Sequence, residues 1–255
     1  MSLNPRLTDW RGQRVWLIGA SSGIGEATAK LLMAHGARVA LTSRSRDALS
    51  ALADAHALVA PADVTDRASL QAAFDETCAT LGGIDVAIIN AGTHHPVRAW
   101  ELDAQAAEKL VQVNLVGAIN AAALLAPYFA QRGGGRIAIT ASVAGYGGLP
   151  SGLVYGATKA ALINFAETLF LDLAPKGVAV HLINPGFVKT PLTDLNDFKM
   201  PALIEADEAA REILAGIERG EFEIHFPKRF TRVLKWLNLL PYRAYFPLVR
   251  RITGL

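Results

Sequence analysis

The chain has 255 residues, of which 51% are hydrophobic and 19% charged, and its formal net charge is +2. This composition is typical of a globular protein with an ample core and excludes a disordered or fibrous chain. So small a net charge gives no reason to expect nucleic acid as a partner. Because Cys78 is the only cysteine, an internal disulfide is excluded, and a buried structural thiol is favoured over a reactive one.

The N-terminal segment gives no indication of secretion. Residues 1–14 carry charges and a proline without an apolar signal core, and the chain has no run of about 18 uncharged apolar residues. We therefore expect a cytoplasmic protein without a membrane span.

Short apolar segments alternate along the chain with segments of helical length. Strands are predicted at 15–18, 38–42, 57–59, 86–89, 136–140 and 178–183, and helices at 26–35, 69–81, 103–132 and 155–174. Apolar strands separated by helices predict a parallel sheet covered on both faces. Since no repeat or linker divides the first 220 residues, we expect one doubly wound, Rossmann-type α/β domain over 1–220. A basic amphipathic extension would follow over 221–255.

A glycine cluster lies between the first predicted strand and the first predicted helix. Gly19, Gly23 and Gly25 are spaced as G-x-x-x-G-x-G rather than the more familiar G-x-G-x-x-G. Glycines at such a turn let the backbone approach a pyrophosphate, while the helix N-terminus supplies N–H donors. An ordinary tight turn is the alternative, but the position after the first strand favours nucleotide binding.

The end of the second predicted strand bears on which dinucleotide would bind. An NAD-binding unit usually has an acidic residue there, roughly 20 residues beyond the glycines, that hydrogen-bonds the ribose hydroxyls. This chain has Ser43 and Arg44 instead, with Arg46 close by and no acid between 42 and 46. A guanidinium can bind a 2′-phosphate through several donors, so we predict NADP(H) over NAD(H). Solvated arginines at the start of a helix are the alternative.

Several motifs in the same order resemble the classical short-chain dehydrogenase/reductase (SDR) family. They are the run GASSGIG from Gly19 to Gly25, Asn90–Ala–Gly92, Asn114, Ser142, Tyr155-x-x-x-Lys159 and the run NPGFVKT from Asn184 to Thr190. The resemblance covers about residues 10–215. It implies a homodimer or homotetramer, a small-molecule carbonyl or alcohol substrate and a nicotinamide cofactor.

The predicted cofactor site combines the residues argued above with those that the resemblance implies. In the resemblance, Asp63 and Val64 flank the adenine, Asn90 braces the cofactor strand, and the segment from Pro185 contacts the nicotinamide. The complete set is Gly19, Ser21, Ser22, Gly23, Ile24, Gly25, Ser43, Arg44, Asp63, Val64, Asn90, Ala91, Gly92, Tyr155, Lys159, Pro185, Gly186, Val188 and Thr190.

The predicted catalytic residues are Asn114, Ser142, Tyr155 and Lys159. Tyr155 and Lys159 are four residues apart, so on a helix they share one face, and a neighbouring ammonium is expected to lower the pKa of the phenol. Tyr155 would exchange a proton with a carbonyl or alcohol oxygen that Ser142 also holds. Asn114 is unfavourable inside a helix unless it is used. The resemblance gives it a place in a water-linked proton path through Lys159, which would also hold the nicotinamide ribose.

Each of these residues has a plainer interpretation by itself, as a surface Tyr or Lys, a strand-end cap or a local hydrogen-bonding Asn. Only their joint occurrence downstream of a phosphate loop favours catalysis. His94 and His95 are adjacent and have no carboxylate–His cluster with them, so we interpret them as loop or substrate-rim residues and predict no metal site.

The substrate is expected outside the carboxyl ends of the strands, at segments 93–100, 143–154 and 190–204. Apolar and aromatic side chains there suggest an apolar or bulky substrate. They are Val143, Tyr146, Leu149, Leu153, Phe187, Leu192, Leu195, Phe198 and Met200. The segment 191–204 has the composition of a lid.

The C-terminal segment 224–255 carries seven Lys and Arg residues, many aromatic residues, and no Asp or Glu. Such a segment can lie on an anionic membrane, but packing against the domain, the substrate side or another subunit is the interpretation we favour. Pro241 and Pro247 are expected to break any single long helix there.

The function predicted from the sequence is hydride transfer between NADP(H) and a carbonyl or secondary alcohol. A non-catalytic dinucleotide-binding sensor and a membrane-recruited protein acting through its basic tail are the alternatives. The combination of Ser142, Tyr155 and Lys159 speaks against a sensor, since such a protein has no need of these three residues together.

Overall fold

A computed structural model describes residues 2–195, 198 and 200–254. Its seven strands form one parallel sheet in the order β3-β2-β1-β4-β5-β6-β7. The strands are β1 Arg14–Ile18, β2 Arg38–Thr42, β3 Leu58–Val59, β4 Val86–Ile89, β5 Gly135–Thr140, β6 Val178–Pro185 and β7 Glu223–Phe226. The doubly wound, Rossmann-type fold predicted from the sequence is confirmed.

Nine α-helices connect and follow the strands within the described part of the chain. They are α1 Gly23–Ala34, α2 Arg46–Leu52, α3 Arg67–Leu81, α4 Ala104–Val111, α5 Gly117–Arg132, α6 Leu153–Leu173, α7 Ala206–Glu218, α8 Lys228–Asn238 and α9 Tyr242–Thr253. The first strand pairs with β2 on one side and with β4 on the other. Strands β2 and β3 are added on one side of β1 and the later strands on the other, so the strand order reverses at β1. In open α/β sheets the ligand crevice lies at such a point, outside the carboxyl ends of the strands.

Both faces of the sheet are buried, which explains why the central strands are mostly apolar. Along β1, Trp16 and Ile18 pack into a core shared with α3, α5 and α6, whereas Val15 and Leu17 pack into a second core shared with α1 and α7. Period-two alternation therefore separates two apolar environments rather than a core from solvent. The half-buried Cys78 packs at the edge of the first core, and burial raises the pKa of its thiol.

The helix predicted over 103–132 is not a single α-helix. A π-helical turn, Gln112–Val116, lies between α4 and α5 and contains Asn114. The stretch Ala104–Arg132 is long and apolar enough to cross a membrane by length and composition, and an 18-residue window within it has a mean hydropathy of 1.6. Leu125 and Phe129 are, however, fully buried against the sheet, which is the usual reason for an apolar helix in a core.

The sheet extends beyond the boundary predicted at residue 220. Strand β7 pairs in parallel with β6 through residues 182–185 and 223–226, and the basic segment then forms α8 and α9. Pro241 separates the two helices as predicted. Pro247 does not break a helix, because it lies inside α9.

Candidate active site

A cleft of about 570 Å³ opens at the carboxyl ends of the central strands. The predicted site residues that line it are Gly19, Ser21, Ser22, Gly23, Ile24, Ser43, Arg44, Asp63, Val64, Asn90, Ala91, Gly92, Ser142, Tyr155, Lys159, Pro185, Gly186, Val188 and Thr190. Gly25 and Asn114 do not line the cleft wall. Other residues that line the cleft were not predicted as cofactor-site residues. They are Ile18, Thr42, Ser45, Ala62, Thr93, Val113, Thr140, Ala141, Pro191, Leu192 and Thr193.

The glycine turn is packed too closely to accept side chains. A Cβ on Gly19 would lie 2.5 Å from the backbone nitrogen of Ala91, and one on Gly25 would lie 1.9 Å from the carbonyl oxygen of Gly19. Asn90 Nδ2 donates to that same carbonyl at 3.0 Å and so ties β4 to the turn. Gly25 thus allows α1 to approach β1, while the turn faces the cleft.

The N-terminus of α1 lies at the cleft wall. Ser22 occupies the N-cap position, but its side chain makes no capping hydrogen bond to the helix. The first N–H groups of α1 are therefore left for another acceptor, and the positive end of the helix dipole favours an anion.

At the end of β2, the cleft has a cationic and hydroxyl lining. Arg44 is exposed on the cleft wall, and the Ser43 hydroxyl is buried without a hydrogen-bond partner among the described residues. Burial alone would raise the pKa of Asp63, but hydrogen bonds from Thr65 and the nearby charge of Arg44 outweigh it and lower the pKa. Arg46 is exposed and does not line the cleft.

Tyr155 and Lys159 reach the opposite end of the cleft from the first two turns of α6. Lys159 is only 4% exposed, and its Nζ donates to the Thr140 carbonyl at 3.0 Å. Burial lowers the pKa of Lys159 to about 8. The same Nζ lies over the Tyr155 ring, 5.6 Å from the ring centre.

The net shift in the pKa of Tyr155 is opposite in direction to the lowering expected from Lys159. Burial raises the pKa of the Tyr155 phenol, and a hydrogen bond from Ser142 opposes the shift only in part. Desolvation of the phenol is the cause of the shift, and the Lys159 amino group is bound to the Thr140 carbonyl. The phenol is therefore protonated at neutral pH, which is the form that can donate a proton.

Ser142 lies two residues beyond the end of β5 and caps a short 3₁₀ turn. Its Oγ accepts from the Ala144 N–H at 3.1 Å and donates to the Pro185 carbonyl at 3.4 Å. Ser142 is buried and lies within reach of the Tyr155 phenol. A substrate oxygen placed between these two hydroxyls would have two hydrogen-bond partners.

Asn114 is fully buried behind the cleft wall, in the π-helical turn. Its amide brackets Thr93, accepting from the backbone N–H at 2.7 Å and donating to the carbonyl at 2.9 Å. A Cβ on Gly92 would lie 3.4 Å from Asn114 Oδ1 and 3.6 Å from Lys159 Nζ. Asn114 and Lys159 therefore approach the same stretch of backbone, and π turns of this kind are frequent at functional sites.

The predicted substrate-side residues fall into different environments. Leu192 lines the cleft, and the His94 ring contacts the Tyr155 ring edge-on at 4.5 Å between centres. The rings of Phe187 and Phe198 are in contact, whereas Leu153 is exposed. Residues 196, 197 and 199 and the side chain of Leu195 lie outside the described part of the chain.

Tyr146 and Leu149 do not line the cleft. Tyr146 donates its hydroxyl to Glu223 at 2.5 Å, and burial raises the pKa of its phenol. Leu149 packs against the apolar cluster of the C-terminal helices, where Leu237, Tyr245 and Val249 are buried. The loop that follows Ser142 is thus held by β7, α8 and α9, a contact the sequence pattern alone does not reveal.

His94 and His95 are not part of a metal-ligand cluster within the described residues, where three or more His, Cys, Asp or Glu side chains nowhere converge. The contact between the rings of His94 and Tyr155 instead puts an imidazole beside the phenol at the cleft.

A doubly wound sheet with a glycine turn opening into a polar cleft defines a dinucleotide-binding protein. The model of one family, short chain dehydrogenase, matches residues 13–199. An uncharacterized oxidoreductase of Myxococcus xanthus (strain DK1622) is 34% identical over 240 residues, which cover 92% of this chain and 95% of that protein. The chain therefore belongs to the short-chain dehydrogenase/reductase family and is an oxidoreductase whose fold binds a nicotinamide dinucleotide.

Two further similarities differ in what they indicate. The 2-dehydro-3-deoxy-L-rhamnonate dehydrogenase (NAD(+)) of Sphingomonas sp. (strain SKA58) is 35% identical over 189 residues, covering 72% of this chain and 76% of that protein. The structure of a short chain dehydrogenase/reductase from Burkholderia phymatum, in complex with NAD, has a TM-score of 0.82 at 24% identity. It covers 90% of this chain and 94% of that chain, and at this identity the likeness shows the fold.

Proposed function

We propose that the chain is an NADP(H)-dependent oxidoreductase that interconverts a carbonyl compound and a secondary alcohol. The observation that carries the proposal is a single cleft with two chemically different ends. One end has the glycine turn with Ser43 and Arg44, and the other has Ser142, Tyr155 and Lys159.

The residues present fit a dinucleotide at the first end. The closely packed glycine turn lines the cleft with backbone, and the uncapped N–H groups of α1 suit a pyrophosphate. The buried Ser43 hydroxyl lacks a partner within the described structure, which is costly unless a bound group satisfies it. A 2′-phosphate beside Ser43 and Arg44 would supply that partner.

The choice of NADP(H) over NAD(H) rests on charge. Arg44 forms no ion pair within 4.0 Å among the described residues, so its donors are available to a phosphate. The relative from Sphingomonas, by its name, uses NAD(+), so family membership alone does not determine the preference. The absence of an acid at residues 42–46 is what favours NADP(H) in this chain.

The other end of the cleft supports proton exchange at a substrate oxygen. When bound, the reduced cofactor supplies the hydride that adds to the carbonyl carbon. Tyr155, protonated at neutral pH because burial raises its pKa, donates its proton to the carbonyl oxygen as the C–O bond order falls. Ser142 holds the same oxygen by a hydrogen bond.

The proton lost by Tyr155 must be replaced after each reduction. Lys159, whose pKa burial lowers to about 8, is close enough to neutrality to pass a proton on. Asn114 and Lys159 both lie close to Gly92, and this proximity supports a relay from Lys159 through Asn114 towards solvent. Oxidation of an alcohol would use the same groups in reverse.

The substrate is proposed to be apolar or bulky. Val143 is buried beside Ser142, Leu192 lines the cleft, and the Phe187 and Phe198 rings pack nearby. These side chains offer dispersion contacts but few charged partners. A panel in which only small charged carbonyl compounds turned over would contradict this part of the proposal.

The experiment is a panel of carbonyl compounds and secondary alcohols assayed with NADPH or NADP⁺ and with NADH or NAD⁺. We expect turnover with a kcat/KM at least about tenfold higher for the phosphorylated cofactor, the order of one charge-assisted contact. Arg44→Ala should remove most of that preference by weakening NADPH binding alone. Arg46→Ala, two residues away but outside the cleft, is the matched control and should behave as wild type. Equal loss of NADPH and NADH binding in Arg44→Ala would contradict the 2′-phosphate assignment.

A further inference from the structure

The two C-terminal helices are fixed to the domain through one face. Leu237, Tyr245 and Val249 are buried there together, and the Tyr245 hydroxyl donates to the Gly148 carbonyl at 2.8 Å. Lys235 pairs with Glu223, which also accepts from the Tyr146 hydroxyl. This face is a packed contact, and it holds the orientation of α8 and α9.

Other apolar side chains of the same two helices are exposed. Trp236 is 73% exposed, Leu239 76% and Tyr242 75%, and the Tyr242 and Phe246 rings are stacked with their centres 5.3 Å apart. We call this the outer surface. Its exposed apolar and aromatic residues are Val233, Trp236, Leu239, Tyr242, Phe246, Leu248 and Ile252. Exposed apolar surface of this extent in a soluble setting indicates a binding surface.

Arginines accompany these apolar residues on both helices. The exposed ones are Arg229, Arg232, Arg243, Arg250 and Arg251, and none forms an ion pair with a described acidic residue. The segment 224–255 has no Asp or Glu at all. The outer surface is therefore positively charged without internal compensation.

These two properties decide between the possible occupants. A second copy of the chain meeting the outer surface about a two-fold axis would set five arginines against five, without acids to offset them. An anionic lipid headgroup layer has the complementary charge, and aromatic and leucine side chains insert into the boundary between headgroups and acyl chains. Interfacial helices have this combination of a basic character and exposed Trp and Leu.

We propose that the outer surface of α8 and α9 binds an anionic phospholipid membrane, with the helices lying in the plane of the interface. Helix α8 lies next to the cleft through a residue that is not part of the outer surface. A Cβ on Gly186, a cleft residue, would lie 3.1 Å from the Phe230 ring of α8, and the Phe230 ring also contacts Phe187. Membrane binding would therefore place the bilayer against a helix that contacts the cleft wall at Gly186. The inference does not depend on turnover.

The test is co-sedimentation of the full chain with vesicles of phosphatidylcholine alone and of phosphatidylcholine mixed with phosphatidylglycerol. Binding is expected only to the mixed vesicles and should weaken as salt is raised. Trp236→Ser with Leu239→Ser, and separately Arg232→Glu with Arg250→Glu, should each lower the partition coefficient about tenfold or more. These residues are exposed, so folding should survive, and thermal unfolding of each variant checks this.

Matched substitutions elsewhere on the surface control for the chemical change. Leu171 on α6 is 70% exposed, and Lys176 is exposed after the same helix, so Leu171→Ser with Lys176→Glu should bind as wild type. The proposal is overturned if wild type ignores anionic vesicles, or if the outer-surface variants bind as well as it does. A wild-type dimer that these substitutions dissociate, without vesicle binding, would identify a second copy as the occupant and also overturn it.

Discussion

At the scale of single residues, Lys159 combines deep burial with an ionisable group. Its amino group has the Thr140 carbonyl as a hydrogen-bond partner and almost no access to water. Desolvation disfavours the charged form, which is why the pKa falls to about 8. A group with this pKa destabilises the folded state at neutral pH, and its retention is understandable if it serves the reaction.

Lys159→Met is expected to stabilise the cofactor-free protein at pH 7. The folded pKa of about 8 lies below the unfolded value near ~10.4, so the unfolded state binds more protons between these values and wild-type stability rises with pH across that window. Removing the desolvated charge therefore raises the free energy of unfolding by at most about 3 kcal/mol at pH 7, and loss of the hydrogen bond to Thr140 offsets about 1 kcal/mol of this. The increase should shrink as the pH approaches ~10.5. Urea unfolding at both ends of the window measures it, with Lys176→Met as an exposed control. A difference that is independent of pH would show that desolvation of Lys159 is not its cause.

Residue positions were predictable from the sequence, but residue environments were not. The spacing of Tyr155 and Lys159 correctly put both side chains at one end of a cleft. It could not give the sign of the Tyr155 pKa shift, because burial depends on packing from distant parts of the chain. Tyr146 was predicted on the substrate side, but its hydroxyl is bound to Glu223. That partner is 77 residues away in sequence, so the spacing near Tyr146 could not reveal it.

At the scale of elements, the turn between β1 and α1 shows how sequence spacing becomes geometry. Gly19 has a φ of 92°, a conformation that side chains disfavour, and its carbonyl is covered by Gly25 on one side and by Asn90 on the other. The helix N-terminus is therefore set by two close contacts. The strong local signal of three glycines made this turn predictable.

Gly25→Ala should damage both stability and cofactor binding. The added Cβ would meet the Gly19 carbonyl at 1.9 Å, so α1 must move away from β1, at a cost of about 3 kcal/mol or more. Calorimetry and NADPH titration measure the two effects. Gly134→Ala is the matched control, because its Cβ would lie 4.0 Å from the Gly177 carbonyl oxygen, an ordinary contact. Its stability and NADPH affinity should stay close to those of wild type. Wild-type stability in Gly25→Ala would contradict the close packing at this turn.

Other elements gave weaker signals. The four residues of β7 alternate between partly buried and buried positions, which is too short a pattern to distinguish from a loop. The π-helical turn at Asn114 depends on hydrogen bonds to Thr93 and Thr158, residues that come together only in the folded chain. Pro247 lies inside α9, although a proline in a helix interior usually predicts a break.

At the scale of the whole molecule, the parallel sheet joins two ends of one cleft that are far apart in sequence. Arg44 follows β2, whereas Tyr155 and Lys159 lie on α6 beyond β5. The doubly wound parallel sheet was predictable because alternating strands and helices wind in only a few ways. The packing of the basic tail onto the loop after Ser142 was not, because it rests on a few contacts between amphipathic helices and a glycine-rich loop.

In the proposed reaction, a cofactor bound along this cleft would supply a hydride to the substrate's carbonyl carbon while Tyr155 protonates the carbonyl oxygen. The direct measurement compares wild type and Tyr155→Phe in steady-state turnover and in NADPH titration, with Tyr242→Phe, an exposed tyrosine, as the control. We expect Tyr155→Phe to bind NADPH as wild type does while kcat/KM falls about 10²–10⁴-fold, the range for loss of a general acid. Turnover by Tyr155→Phe at the wild-type rate would contradict the account.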